Sequence, residues 1–242
     1  MRFLLIFLFI TNGLAYGQSN VSDKFIFPFK SESSEWNSFN SVEERIKALQ
    51  IPEKVLKNIS TKGLIETCIE FPYLTDMFFY ENAQRGFEEL TKEFNGLQEL
   101  LKRKDLMDKL FVKYIGFSAS VLDTKGKKPE NIGRESFQQY FIEMIFAQDV
   151  VIKSLTLEQE KQLIFQIIEQ NKTKTKNPEI FSSLNFIPTN LLFAKKIVND
   201  SNFKLSNPNQ KKMLQDFVKN PSVSDQQIFD EIENYFITKY KY

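Results

Sequence analysis

Apolar residues recur along most of this chain every three or four positions, the spacing that gathers them on one side of a helix. The stripe is clearest at Ala83, Phe87, Leu90 and Phe94, and again at Leu106, Leu110, Phe111, Tyr114 and Phe117. Between residues 51 and 105 it is cut into a relay of short helices. Pro52 suits the first turn of one, where its missing N–H is not needed, and Val55, Leu56 and Ile59 form the apolar side. Ser60 is placed to cap the next, which carries Leu64, Ile65, Cys68 and Phe71 as far as the stop at Pro72. Thr75 or Asp76 is the expected cap of the following segment. Asn95-Gly96 reads as its left-handed stop, and Asp105 as the cap of the long helix beyond.

Outside that stretch the signals are sparser. Residues 18–40 are polar and Ser-rich around FIFPF and the lone Trp36, which predicts an extended N-terminal arm packed through its aromatics. Ser41 with Glu44 reads as a capping box. Residues 122–134 hold Gly126, Pro129 and Gly133 and predict a loop or linker. It divides an N-terminal helical subdomain, residues 41–121, from a C-terminal one, residues 135–242. In the second, a helix is expected over residues 135–154. Thr156 and Gln159 cap another, running to about Gln170. A polar loop follows over residues 171–177; Pro188, Asn207-Pro208 and Ser224 with Gln227 mark later helix starts. No stretch alternates convincingly with the period of a strand. Helices this short are marginal alone and must stack on one another. The expected fold is all-α, a compact array of about nine to eleven short helices without a sheet. A solenoid is among the arrangements open to it, although no residue pattern repeats at a fixed period.

The first 17 residues look different from the rest. Arg2, the apolar run over residues 3–10 and Ala15-Tyr16-Gly17 have the layout of a secretory signal peptide cleaved after Gly17. The apolar run falls well short of the ~20 residues that span a bilayer, so no stable membrane anchor is expected after cleavage. The remaining 225 residues, with 31 basic and 31 acidic side chains, carry no net charge. That balance gives no reason to expect a nucleic-acid partner. The predicted location is secreted or periplasmic.

Composition removes most catalytic chemistry. The chain has no His, which takes away the commonest general base, the usual zinc ligands and every Ser-His or Cys-His arrangement. There is no phosphate-binding loop, dinucleotide fingerprint or EF-hand loop, so no cofactor, metal or catalytic residue is assigned. Cys68 has no partner for a disulfide, and its place on the stripe with Leu64, Ile65 and Phe71 predicts a buried, inert thiol. The 25 Phe residues must mostly be core.

The run IPEKVLKNISTKGLIETCIEFP, with FNGLQELLKRKD after it, resembles a block found in uncharacterised secreted helical proteins of Bacteroidetes-type bacteria. The resemblance is limited to roughly residues 51–105. It implies a protein of the bacterial envelope and supplies no site residues.

Two candidate sites remain. Phe78, Phe79 and Tyr80 are consecutive, and neighbours on a helix stand ~100° apart, so the three cannot all turn inward. With Tyr73 they form the candidate partner-binding patch of an exported, non-enzymatic helical protein that binds a protein or cell-envelope partner. The alternative is a carboxylate-dependent glycan hydrolase or lyase, which needs a pair of acids. Glu66 and Glu70 lie one helical turn apart, with Asp76 nearby among Tyr73, Phe78 and Tyr80. The plainer account of the acids is a solvated helix face.

Overall fold

The computed structural model describes residues 23–29, 33–204, 207–223 and 226–241. The predicted signal peptide, its cleavage point and the Ser224 cap lie outside the described residues. Thirteen α-helices follow one another: α1 (Ser34–Asn37), α2 (Val42–Ala48), α3 (Glu53–Asn58), α4 (Thr61–Cys68), α5 (Ala83–Glu93), α6 (Asn95–Leu100), α7 (Leu106–Leu122), α8 (Pro129–Phe146), α9 (Asp149–Ser154), α10 (Leu157–Lys176), α11 (Ile187–Ile197), α12 (Pro208–Lys219) and α13 (Gln226–Tyr240). Two 3-10 turns, Leu74–Phe79 and Ser183–Phe186, are set between them, and these counts are of the described residues. No strand occurs among the described residues, and the fold is the all-α array that the apolar spacing predicts.

The helices stack as their lengths require. α4 packs on α6 and α7, α7 on α8, α8 on α11, and α10 bridges α7 and α13. The buried stripes meet in one hydrophobic cluster that runs from Leu49 to Phe236 and includes residues on both sides of the loop after α7. Cys68 is buried in it, and burial pushes its thiol well above the usual range.

The arm is extended over residues 23–29 and lies against this body. Phe25, Phe27 and Phe29 turn inward while Ile26 between them is exposed. Phe27 rests beside the stacked rings of Phe71 and Phe94, whose centres are 4.1 Å apart. Polar contacts pin it: Ser60 donates from its backbone N–H and its hydroxyl to Asp23, each at 2.6 Å, and the Phe25 N–H donates to Thr67 Oγ1 at 2.9 Å. Burial pushes the Asp23 carboxyl up, but the two Ser60 hydrogen bonds outweigh it and hold it below its usual value. Gly63 lets the arm come this close, since a Cβ there would push the Asp23 carboxylate aside.

Several predicted boundaries shift, each for a visible reason. Asn82, not Thr75 or Asp76, caps α5, accepting from the Arg85 N–H. α5 does stop at Glu93, beside Asn95-Gly96, but that pair is not left-handed; it begins α6. The Asn95 carboxamide accepts from the Ile51 N–H and donates to the Ile51 carbonyl, and a Cβ on Gly96 would strike the Phe94 ring. Asp105 stands at the N-cap position of α7 yet makes no capping bond, because its carboxylate accepts from the Thr61 hydroxyl at 2.6 Å. Glu44 reaches past Ser41 to the Asn40 N–H. Pro129 already opens α8, so the predicted loop is confined to the few residues before it, and residues 135–154 divide between α8 and α9.

The largest correction is at residues 171–177, where α10 continues to Lys176 instead of giving way to a loop. Gln170, Asn171 and Lys174 are polar but buried. Lys174 Nζ lies 2.6 Å from Glu143 Oε2 on α8 and 2.8 Å from the Asn185 carbonyl, and both charged side chains are only 1% exposed. Tyr114 donates to the other Glu143 oxygen at 2.7 Å. Burial pushes the Lys174 ammonium below its usual pKa, opposed by the charge and hydrogen bond of Glu143.

Candidate functional site

Two surface features stand side by side: an aromatic ridge on the 3-10 turn Leu74–Phe79 and a cleft between α4, α7 and α8. The ridge begins with a local conflict. Leu74 and Met77 are buried and hold the turn to the body. The tight 3-10 winding then leaves the end of the segment facing outward. Phe79 is 84% exposed, Phe78 47% and Tyr80 38%. Phe78 leans on Phe137 and Tyr140 of α8, with ring centres 5.2 and 5.4 Å away. Behind the turn, α5 comes so close that a Cβ on Gly86 would lie 1.9 Å from the Met77 carbonyl oxygen. The ridge is therefore presented by a tightly held backbone.

Tyr73 does not belong to it. Its ring is buried under the arm, stacked on Trp36 at 5.2 Å between centres, and its hydroxyl has no hydrogen-bond partner among the described residues. Of the four residues proposed for the patch, three share one exposed surface and one is core.

The cleft has a volume of about 930 Å³, and Glu66, Glu70, Phe71, Lys113, Glu135 and Phe137 are among its walls. Phe137 joins it to the ridge. Glu66 on α4 and Glu70 in the turn after it thus share a concavity, although the helix on which their spacing relied ends at Cys68. Each faces a lysine: Glu70 Oε1 is 2.8 Å from Lys24 of the arm, and Glu66 Oε1 is 3.9 Å from Lys113. Asp76 is not among the residues lining the cleft. Burial raises its carboxyl pKa, and its field reaches Tyr80 instead. There burial, then the charges of Glu93, Glu89 and Asp76, hold the phenol above its usual value.

A third cluster on the cleft wall escaped sequence reading. Ser120 donates to Glu135 Oε2 at 3.0 Å, and Lys127 lies 2.7 Å from the same oxygen while donating to the Ser120 carbonyl at 2.9 Å. Lys127 thereby satisfies a carbonyl in the last turn of α7, as basic residues commonly do. The loop that carries Lys127 was visible in the sequence; the partner of that lysine on α8 was not. No group of three or more acidic, His or Cys side chains placed to hold a metal occurs among the described residues, and no described helix is long and apolar enough to cross a membrane. Comparison with known protein families, curated proteins and solved structures finds no match to this chain.

Proposed function

We propose that this is an exported, non-enzymatic helical protein that binds a protein or cell-envelope partner through the ridge of Phe78, Phe79 and Tyr80. The observation that carries this reading is the 84% exposure of Phe79 between two other partly exposed rings. Contiguous exposed apolar surface on a soluble domain commonly marks an interaction site. Covering one such ring is worth about 1.5–3 kcal/mol. A ring on a backbone already held by Leu74, Met77 and Gly86 loses little freedom on binding, which is the property of an interface anchor.

A second reading, a carboxylate-dependent glycan hydrolase or lyase, is favoured by the placement of Glu66 and Glu70 in one cleft. Against it, Asp76 is not on that cleft, and both glutamates face lysine counter-ions. One experiment separates the two. The protein is incubated with bacterial envelope extract and, separately, with purified peptidoglycan, and both retention and soluble sugar release are measured. Retention on a protein component without sugar release is the expected result. Sugar release abolished by Glu66→Gln or Glu70→Gln, with the fold intact, makes the protein an enzyme and overturns the proposal.

A further inference from the structure

Between α5, α9 and the ends of α11 and α12 lies an open groove of about 880 Å³ that shares no residue with the ridge or the cleft. Its floor is apolar: Phe87, Leu101, Ile152, Val198 and Val218 line it, and Val150 on its wall is 52% exposed. Four lysines, Lys92, Lys153, Lys195 and Lys219, stand around it against two acids, Glu88 and Asp149. Most of these charges are already answered. Lys195 is 2.9 Å from Asp149 Oδ1, and Lys92 is 2.8 Å from Glu89, which does not line the groove. Glu88 accepts from Gln84 at 3.0 Å, with Arg85 3.9 Å away. Lys153 and Lys219 are exposed and make no ion pair or hydrogen bond among the described residues. Each stands in the last turn of its helix, whose negative end carries only about half a charge. The groove therefore joins an apolar floor to a net positive rim.

We infer that this groove is a binding site for a small anionic amphiphile, an apolar chain with one carboxylate head. The chain lies on the floor against Phe87, Ile152 and Val198. The head is held at the rim by the lysines that no acid of the chain neutralises. Size and lining suit such a ligand, since small-molecule sites commonly span ~300–1,000 Å³ and set a few charged or polar groups around apolar walls. The two parts of the ligand do different work. Exposed ion pairs contribute little each, so the head chiefly selects the sign of charge. The chain supplies affinity, each methylene it buries being worth about fourfold.

The probes are octanoate and decanoate below their micelle concentrations, with decyltrimethylammonium as the cation of matching chain, followed by amide chemical shifts of the folded protein. The expected result is saturable decanoate binding with shifts centred on residues 84–92, 148–153 and 195–199. Decanoate should bind several-fold more tightly than octanoate, and more tightly than the cation. Lys153→Glu with Lys219→Glu, both at exposed positions, should weaken decanoate at least about fivefold and remove the preference for an anion. Lys125→Glu with Lys128→Glu makes the same change in net charge before α8, at the far end of that 18-residue helix from the groove, about 27 Å away, and should have little effect. Absence of saturable binding, equal binding of the cation, or an equal loss in both double variants overturns the inference. Uptake of decanoate only above its micelle concentration would mark a surface for membranes instead. Groove shifts that follow protein concentration without any probe would make a second copy of the chain the occupant, and either result overturns the inference too.

Discussion

Replacing Lys174 by Met strands the Glu143 carboxylate in the middle of the helical array. In the native protein the two side chains are each 1% exposed and 2.6 Å apart, with Tyr114 on the second carboxylate oxygen. Removing one member of a buried pair usually costs about 3–5 kcal/mol. Against a total stability of roughly 5–15 kcal/mol, a change of that size is readily seen in urea unfolding. Unfolding at pH 7 is compared for the native chain, Lys174→Met and the double variant Glu143→Gln/Lys174→Met. The expected pattern is a loss of about 3 kcal/mol in the single variant and recovery of most of it in the double variant. A loss below about 1 kcal/mol in Lys174→Met, or no recovery in the double variant, refutes the buried pair.

Three further outcomes follow from the packing. Asp200 is held at a pKa of about 2, chiefly by the hydrogen bond from Lys239, with burial opposing and the Asn202 N–H and Tyr235 hydroxyl assisting. The depressed value means that its contribution is complete above the unfolded pKa of 3.8 and is lost as pH falls toward 2; Asp200→Asn should flatten that part of an acid-unfolding curve. Gly86→Ala forces α5 away from the Met77 carbonyl and should cost about 1–3 kcal/mol by thermal unfolding while weakening partner retention, because the same backbone carries Phe79. Ser60→Ala removes both the α4 cap to the Gly63 N–H and the hydroxyl bond to Asp23. It should cost about 1–2 kcal/mol and expose the arm to limited proteolysis.

Legibility in the sequence followed the range of the interactions. Helices with a wide apolar stripe and a local cap were readable, since every partner lies within a turn or two: Thr156 with Gln159 and Ser60 cap their helices as predicted, and Asn207-Pro208 opens α12. Elements whose chemistry is completed from far along the chain were not. Asn171 and Lys174 look like loop residues because Glu233 and Glu143, which satisfy them, stand on other helices. Asn95-Gly96 has the composition of a turn, but Ile51 and Phe94 determine its use. The ridge was half legible. Three adjacent rings had to expose at least one, but only the stacking of Trp36 on Tyr73 reveals that Tyr73 is core. In the same way, Glu66 and Glu70 meet on one cleft although α4 ends before Glu70, whereas Lys24 and Lys113 come to them through tertiary packing.

The most direct test of the ridge is the affinity of the protein for the component of envelope extract that retains it, compared between the native chain and Phe79→Ala. Leu157→Ala serves as the control, because Leu157 is also exposed, at 63%, and sits at the start of α10 instead of on the ridge. The account predicts that Phe79→Ala lowers affinity by at least about tenfold, with an unchanged fold, while Leu157→Ala has little effect. Equal retention of the native chain and Phe79→Ala would contradict it.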